Sequence, residues 1–185
     1  MHTQKIYSRP TGGRMLLQWS FCFALAFAWL GLNAQSNPSR EYQVKAVFLY
    51  NFTQFVQWPQ GGSRGPFIIG ILGNDPFGAY LDQTVANERV AGRSIVVRRF
   101  REAGDVGACH ILFVHAAQAT PGTLAALKNR GVLTVGDAGN FISRGGMVRF
   151  YTENNKIRLQ INLAAAKEAD LEISSKLLRV ADVVE

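Results

Sequence analysis

Residues 67–72 read FIIGIL, a short continuous apolar run that ends at a Gly-Asn-Asp turn signal over residues 73–75. Because the run shows no alternation with polar residues, it predicts a strand that is buried on both faces, which is typical of a parallel sheet covered by helices. Further apolar runs of strand length follow it along the chain, at residues 95–97 with Phe100, at residues 111–114 and at residues 132–135.

Helix signals separate these runs. Pro76 begins a predicted helix over residues 76–86, because proline favours the first position of a helix. Pro121 begins another helix, and Gly131 is expected to stop it. Strands and helices in alternation predict an α/β architecture with a parallel sheet.

The C-terminal part of the chain has a different pattern. Residues 147–151 and 157–161 alternate apolar and polar side chains around an Asn-Asn pair at 154–155, which predicts an antiparallel hairpin. A helix is expected from residue 163 to 169, and the chain is expected to end helically over residues 177–181. The predicted fold class is therefore α/β, a three-layer sandwich around a mixed, partly parallel sheet with a C-terminal hairpin and helix.

A helix is also predicted ahead of the first strand, with Asn37 as its N-cap and Pro38 at its first position. Apolar residues recur in it at three- and four-residue spacing and mark the face expected to pack on the sheet: Val44, Phe48, Phe52, Phe55 and Val56. Lys45 falls off this face. Trp58-Pro59 is expected to end the helix, since the residue before a proline avoids the α region.

Residues 1–34 have the pattern of a secretory signal peptide. Three basic residues precede an uncharged apolar run over residues 15–32, and the small residue Ala34 follows. We expect cleavage near Ala34 and a single domain, residues 35–185, that is exported across the membrane. An uncleaved anchor stays open as the alternative, since the apolar run is long.

Composition and charge argue against a disordered chain and against a nucleic-acid-binding protein. Hydrophobic residues make up 48% and charged residues 18% of the 185 residues, so the chain carries enough apolar surface to fold. The net charge of +7 falls to +4 without residues 1–34, which hold three of the 20 basic residues and none of the 13 acidic ones. The remaining basic residues are scattered, which argues against a nucleic-acid partner.

The sequence contains no pattern for a cofactor, a metal or catalysis. Cys109 is the single cysteine after residue 34. It is expected to be a buried apolar side chain, with an intermolecular disulfide or a reactive thiol as the alternative. His110 and His115 are expected on opposite faces of a strand, so they do not converge on a metal. Residues 136–141 are rich in glycine, but Asp137 is expected to cap a helical turn there instead of leaving room for a phosphate.

The aromatic residues near the end of the first predicted helix are the candidates for a binding surface. Phe52 and Phe55 fit a core position at helical spacing. Tyr50 lies toward the other side and Trp58 at the helix end, so these two could lie at a partner surface, although a purely structural role is the alternative.

The chain resembles the YfiR family over roughly residues 41–182. The stretches that carry the resemblance are, in chain order, YQVKA at 42–46, LYNF at 49–52 with Phe55 and Trp58-Pro59, Gly92-Arg93, CHILF at 109–113, LTVGD at 133–137, Phe141, GGM at 145–147, NKIR at 155–158, Ile161-Asn162 and ISSKLL at 173–178.

This resemblance implies a periplasmic regulator and not an enzyme. The regulator would bind the periplasmic part of a membrane-bound diguanylate cyclase of the YfiN type and hold it inactive, which lowers cyclic di-GMP and biofilm formation. It also implies an outer-membrane lipoprotein of the YfiB type as a possible antagonist, and a homodimer. YfiR itself has disulfides, whereas this chain keeps one cysteine after export, so the stabilisation by an internal disulfide is not expected here.

The expected partner-binding residues are Tyr50, Trp58 and the turn over residues 141–146, with Phe141, Gly145 and Gly146. The alternative function is a periplasmic small-molecule binding or sensing domain that acts on a sensor kinase, with its ligand in a crevice at the strand ends. An enzyme that uses Cys109 and a histidine is a third possibility.

Overall fold

An eight-stranded mixed sheet is the centre of the computed structural model, which describes residues 39–58 and 65–184. In chain order the helices and strands are α1 (Arg40–Phe55), β1 (Val56–Gln57), β2 (Phe67–Leu72), α2 (Ala79–Val85), β3 (Arg89–Val90), β4 (Arg93–Phe100), β5 (Ile111–Val114), α3 (Pro121–Leu127), β6 (Leu133–Gly136), β7 (Val148–Glu153), β8 (Lys156–Asn162), α4 (Leu163–Glu168), β9 (Glu172–Ile173), α5 (Ser175–Leu178) and β10 (Asp182–Val184). Short 3-10 turns lie at Ala103–Asp105 and Ala116–Gln118.

The strand order of the sheet is β10-β8-β7-β6-β5-β2-β4-β3, and β1 pairs separately with β9. The neighbours from β4 through β2, β5 and β6 to β7 are parallel, with Ile69 opposite Ile111 at the centre. β7 and β8 form an antiparallel hairpin in which Glu153 pairs with Lys156. The predicted mixed sheet, parallel first and antiparallel near its end, is confirmed.

Helices cover both faces of the sheet, as β2 illustrates. Phe67, Ile69 and Ile71 belong to the apolar cluster under α1 and α2. Ile68 and Leu72 belong to a second cluster, which α3 covers from the other side. Successive residues of a strand point to opposite faces, so a strand between two helical layers must be apolar throughout. The predicted three-layer sandwich is confirmed on this evidence.

α1 and α2 begin later than the sequence predicts, whereas α3 and α4 begin at the predicted residues. Ser39 is the N-cap of α1, and the expected cap Asn37, with Pro38, lies outside the described residues, as does Pro59. α2 begins at Ala79 and not at Pro76, because the carboxylate of Asp75 accepts the backbone N–H groups of Phe77 (2.7 Å) and Gly78 (3.2 Å) and holds a turn there.

The expected helical end of the chain is wrong. α5 has only four residues, and the last described element is β10, which runs parallel to β8 with Val183 opposite Ile161. β1, β3, β9 and β10 have two or three residues each. Such segments are too short to show a period of two in the sequence.

α1 also contacts the sheet with a different set of residues from the one predicted. Lys45 is 2% exposed, although the pattern placed it off the buried face, and Val44 is 40% exposed, although the pattern placed it on that face. Ala46, Leu49 and Phe52 are the apolar residues of α1 that are fully buried. α1 therefore presents Val44 to solvent and brings Lys45 into the interior.

No helix among residues 39–58 and 65–184 combines the length and the apolar character that a membrane span needs. The expected signal peptide, residues 1–34, lies outside the described residues.

Candidate functional site

Tyr50, a predicted contact residue, is half-buried on α1. Its hydroxyl donates to Glu88 Oε2 at 2.5 Å and accepts from Gln54 Nε2 at 3.3 Å. The hydrogen bond to the Glu88 carboxylate raises the pKa of Tyr50 above its usual value. The pair ties α1 to the turn that follows α2, so Tyr50 has a structural role.

Trp58, the second predicted contact residue, lies half-buried after β1. Its indole Nε1 donates to the backbone oxygen of His110 at 3.0 Å. Its ring meets the edge of Phe67 at a centroid distance of 5.0 Å. The indole therefore joins the segment after α1 to the start of β2 and to the residue before β5.

His110 completes this aromatic group. Its ring stacks on Phe67 at 4.3 Å, its Nδ1 accepts the backbone N–H of Ile68 at 3.1 Å, and its Nε2 lies 3.3 Å from the guanidinium of Arg93. Burial, and then the charge of Arg93, lower the pKa of His110. Both ring nitrogens face N–H donors, so the site offers no acceptor for a second ring proton and favours the neutral imidazole.

Phe141 is buried instead of exposed on the turn of residues 141–146. Its side chain is 0% exposed and belongs to the apolar cluster on the α3 side of the sheet. A Cβ at Gly136 would lie 2.6 Å from its ring, and a Cβ at Gly146 would overlap it. Gly145 is exposed, with a φ of +96°. Two of the residues expected to contact a partner in this turn, Phe141 and Gly146, are therefore buried and pack beneath it.

The predicted contact residues do not share one surface. Tyr50 and Trp58 pack against the cluster on the α1 side of the sheet, whereas Phe141 lies in the cluster on the opposite side. Their binding of a partner stays a prediction.

Sequence reasoning missed an ionic group centred on the buried Lys45, here called the Lys45 network, which also contains Tyr42, Asp137 and the more exposed Glu41. Lys45 Nζ lies 2.7 Å from Asp137 Oδ2 and 2.6 Å from Glu41 Oε1. The Tyr42 hydroxyl donates to Asp137 Oδ2 at 3.0 Å. Burial, and then the neighbouring Asp137 charge, raise the pKa of Tyr42. The expected helix cap at Asp137 is thus wrong, because this carboxylate holds α1 to the end of β6.

An open groove runs between α1 and the β7–β8 hairpin, with a volume of about 590 Å³. Its apolar lining is Val44, Phe48 and Ile157, and its polar lining is Arg40, Glu41, Thr152, Asn155 and Lys156. The orientation of α1 that buries Lys45 leaves Val44 exposed, and the exposed Val44 forms part of the groove. A second cavity, of about 300 Å³, lies between α3 and α4.

The histidines and the cysteine do not combine into a reactive centre in the described part of the chain. No group of three or more His, Cys, Asp or Glu side chains there could hold a metal ion. His110 and His115 lie at opposite ends of β5, and His115 Nδ1 accepts the backbone N–H of Ala117 at 3.3 Å. Cys109 is a free buried thiol whose pKa burial raises to about 12. The prediction that Cys109 is a buried apolar side chain is confirmed.

These features define a mixed α/β domain whose polar interior groups fasten helices to the sheet. The family comparison then gives the class: the model of the YfiR/HmsC-like family matches residues 42–182, and the chain belongs to this family. The resemblance stated from the sequence is confirmed. The family is one of periplasmic regulators of cyclic di-GMP signalling.

The fold is similar to the crystal structure of a conserved domain protein from Vibrio cholerae O1 biovar El Tor str. N16961, with a TM-score of 0.51 and 15% sequence identity. The match covers 78% of this chain and 60% of the Vibrio chain, and it bears on the fold alone. No curated protein matches this chain significantly.

Proposed function

We propose that this protein is exported to the periplasm, binds the periplasmic part of a membrane-bound diguanylate cyclase of the YfiN type and holds that cyclase inactive. The observation that carries the proposal is the family match over residues 42–182. A basic and then apolar segment over residues 1–34 supports export.

The mechanism is stoichiometric binding without a covalent step. A regulator that binds only the inactive state of the cyclase shifts the two-state equilibrium by its differential affinity. A preference of about 2.7 kcal/mol shifts that equilibrium a hundredfold. The exposed edges of Tyr50 and Trp58 and the exposed Gly145 are proposed contacts. A YfiB-type outer-membrane lipoprotein as antagonist and a homodimer belong to the same proposal.

Deletion and complementation in the source cell test the proposal. Loss of the gene is expected to raise cyclic di-GMP, measured by mass spectrometry of cell extracts, and the full chain is expected to restore the original level. The matched control is a chain without residues 2–34, which keeps the whole described domain but lacks the export segment. Restoration by this control, or an unchanged cyclic di-GMP level after deletion, would contradict the proposal.

The partner can then be identified directly. Purified residues 35–185 are immobilised and incubated with detergent-solubilised membranes of the same cells. Retention of a membrane protein with a diguanylate cyclase domain is expected. Retention of a sensor kinase would refute the cyclase as the output.

The cavity of about 300 Å³ between α3 and α4 favours a second candidate function, a small-molecule sensor that acts on a kinase. Leu124, Leu127 and Met147 provide apolar lining, and Arg144 places a cation at the cavity beside the Lys128–Glu168 ion pair. This combination suits a small amphipathic anion. A thermal-shift screen of residues 35–185 against aromatic and aliphatic carboxylates tests it, and the absence of any stabilising compound would count against this candidate.

A further inference from the structure

The groove between α1 and the β7–β8 hairpin has the character of a docking site. Val44 is 40% exposed on its α1 side. Phe48, also on α1, is half-buried with its ring 5.9 Å from the ring of Phe150 on β7. Ile157 lines the hairpin side. Apolar side chains at positions 44 and 48 follow one stripe of the helix, so the groove has a continuous apolar floor beside the hairpin.

The rim of this groove carries uncompensated positive charge. Neither Arg40 nor Lys156 forms an ion pair with any residue among 39–58 and 65–184. Glu41, the one carboxylate among the residues that line the groove, shares the Lys45 ammonium with Asp137, so the charged side chains that line the groove still leave an excess of positive charge. Arg40 lies at one end of the groove on the helix and Lys156 on the hairpin, so the two cations flank the apolar floor.

The hairpin side of the groove is conformationally fixed. Asn154 and Asn155 have φ values of 50° and 58°, as in a two-residue type I′ turn, which matches the twist of the paired strands. Lys156 follows this turn and pairs with Glu153 in the sheet. A rim with a fixed backbone reduces the entropy lost on binding.

We infer that this groove binds an amphipathic helix of the partner, whose apolar side chains enter between Val44, Phe48 and Ile157 and whose carboxylates meet Arg40 and Lys156. The inference rests on the proposed function for the existence of a partner. The floor from residue 40 to 48 extends about 12 Å along α1, which corresponds to about two turns of a docked helix. The apolar floor is complementary to the apolar face of such a helix, and the positive rim is complementary to its carboxylates.

Charge disfavours a second copy of this chain as the occupant. A two-fold contact would place the same patch of both copies face to face, and the positive side chains Arg40 and Lys156 of one copy would approach the same positive patch of the other. A lipid surface is disfavoured by shape, because the apolar side chains line a concavity and do not protrude.

Repression in cells gives the first test. The variants are Val44→Asp and the double reversal R40E/K156E, measured by the cyclic di-GMP level that each restores in the deletion strain. The matched control is R98E/R101E, which makes the same change of charge on exposed residues at the end of β4, four strands away from β7. At least a tenfold loss of repressing activity is expected for the groove variants and none for the control. Circular dichroism must show that all variants fold.

A binding measurement separates this inference from the proposed function. The probe is a fluorescein-labelled 18-residue helical peptide with leucines at i, i+3, i+4 and i+7 and flanking glutamates, and a peptide with lysines in place of the glutamates is its counterpart. The full chain is expected to bind the acidic peptide at least tenfold more tightly than the basic one. Val44→Asp is expected to abolish this preference, and the exposed-valine control Val180→Asp is expected to keep it.

Each combination of results has a definite meaning. Repression by the unmodified chain together with full activity of both groove variants would overturn the groove and leave the proposed function standing. Absence of repression together with selective, Val44-dependent peptide binding would overturn the proposed function and support the groove. Equal binding of both peptides, a Val44-dependent dimer in sedimentation, or binding to vesicles with anionic lipid in preference to the peptide would each overturn the inferred occupant.

Discussion

Replacing Lys45 with methionine leaves the Asp137 carboxylate inside the fold without its cation. The side chains of Lys45 and Asp137 are only 3% and 14% exposed, and Nζ and Oδ2 lie 2.7 Å apart. Removal of one member of a buried ion pair costs about 3–5 kcal/mol, because the remaining charge stays desolvated and uncompensated. The Tyr42 hydroxyl still donates to Asp137, so the lower end, about 3 kcal/mol, is expected for Lys45→Met.

The reciprocal change is expected to cost less. In Asp137→Asn, Lys45 keeps Glu41 at 2.6 Å, and the amide oxygen can still accept from Tyr42. We expect a loss of about 2 kcal/mol. The double variant K45M/D137N contains neither buried charge, so it should recover about 1 kcal/mol relative to Lys45→Met, for a total loss of about 2 kcal/mol. The double-mutant cycle then gives a coupling energy of about 3 kcal/mol.

Urea unfolding of residues 35–185 measures these free energies. Trp58 is the single tryptophan after residue 34, and its fluorescence reports the transition. The matched control is Lys128→Met, because Lys128 pairs with Glu168 at 2.9 Å with side chains 57% and 53% exposed. Exposed pairs contribute about 0–1 kcal/mol. Losses below 1 kcal/mol for both single variants, adding without coupling, would refute a role for the pair in stability.

Other parts of the structure make further predictions. Because the pKa of His110 is lowered in the fold, its contribution to the free energy of unfolding should be fully present above about pH 6.5 and should fall as the pH drops below that value. The variant His110→Asn, whose side-chain oxygen can accept from the Ile68 N–H, should flatten the pH dependence of the free energy measured by urea unfolding. An unchanged pH dependence would contradict this assignment. Gly146→Ala should cost about 1–3 kcal/mol because its Cβ overlaps the Phe141 ring, and adding Phe141→Leu should recover part of that loss; a fully stable single variant would show that the turn adjusts freely. The Cys109 thiol, with a pKa of about 12, should resist iodoacetamide at pH 8 in the folded protein and react in 6 M urea, as mass spectrometry can follow; rapid labelling of the folded protein would reveal an accessible thiol.

The parallel half of the fold could be predicted because each strand carries its own signal. FIIGIL of β2 and ILFV of β5 are buried in every residue, and a strand between two helical layers needs no information from elsewhere to be recognised. The Asn154-Asn155 turn likewise lies between two alternating segments. These are local patterns, and the structure follows them within one or two residues.

The site could not be predicted in the same way because its contacts are distant in sequence. Lys45 and Asp137 are 92 residues apart, and nothing near either residue indicates the other. A lysine one position from an apolar stripe ordinarily lies in solvent. A carboxylate directly after a buried strand was the one available signal, and a capping role accounted for it equally well. Phe141 shows the same limit, since its burial depends on Gly136 and Gly146 together.

The Lys45 network and the groove are two consequences of one helix orientation. Lys45 follows Val44 directly, and consecutive helical residues differ by about 100° around the axis. When Asp137 draws Lys45 inward, Val44 turns toward the hairpin, where it lines the groove with Phe48. The buried ion pair therefore bears on the orientation of α1 as well as on stability, because it holds Lys45 inward and leaves Val44 toward solvent.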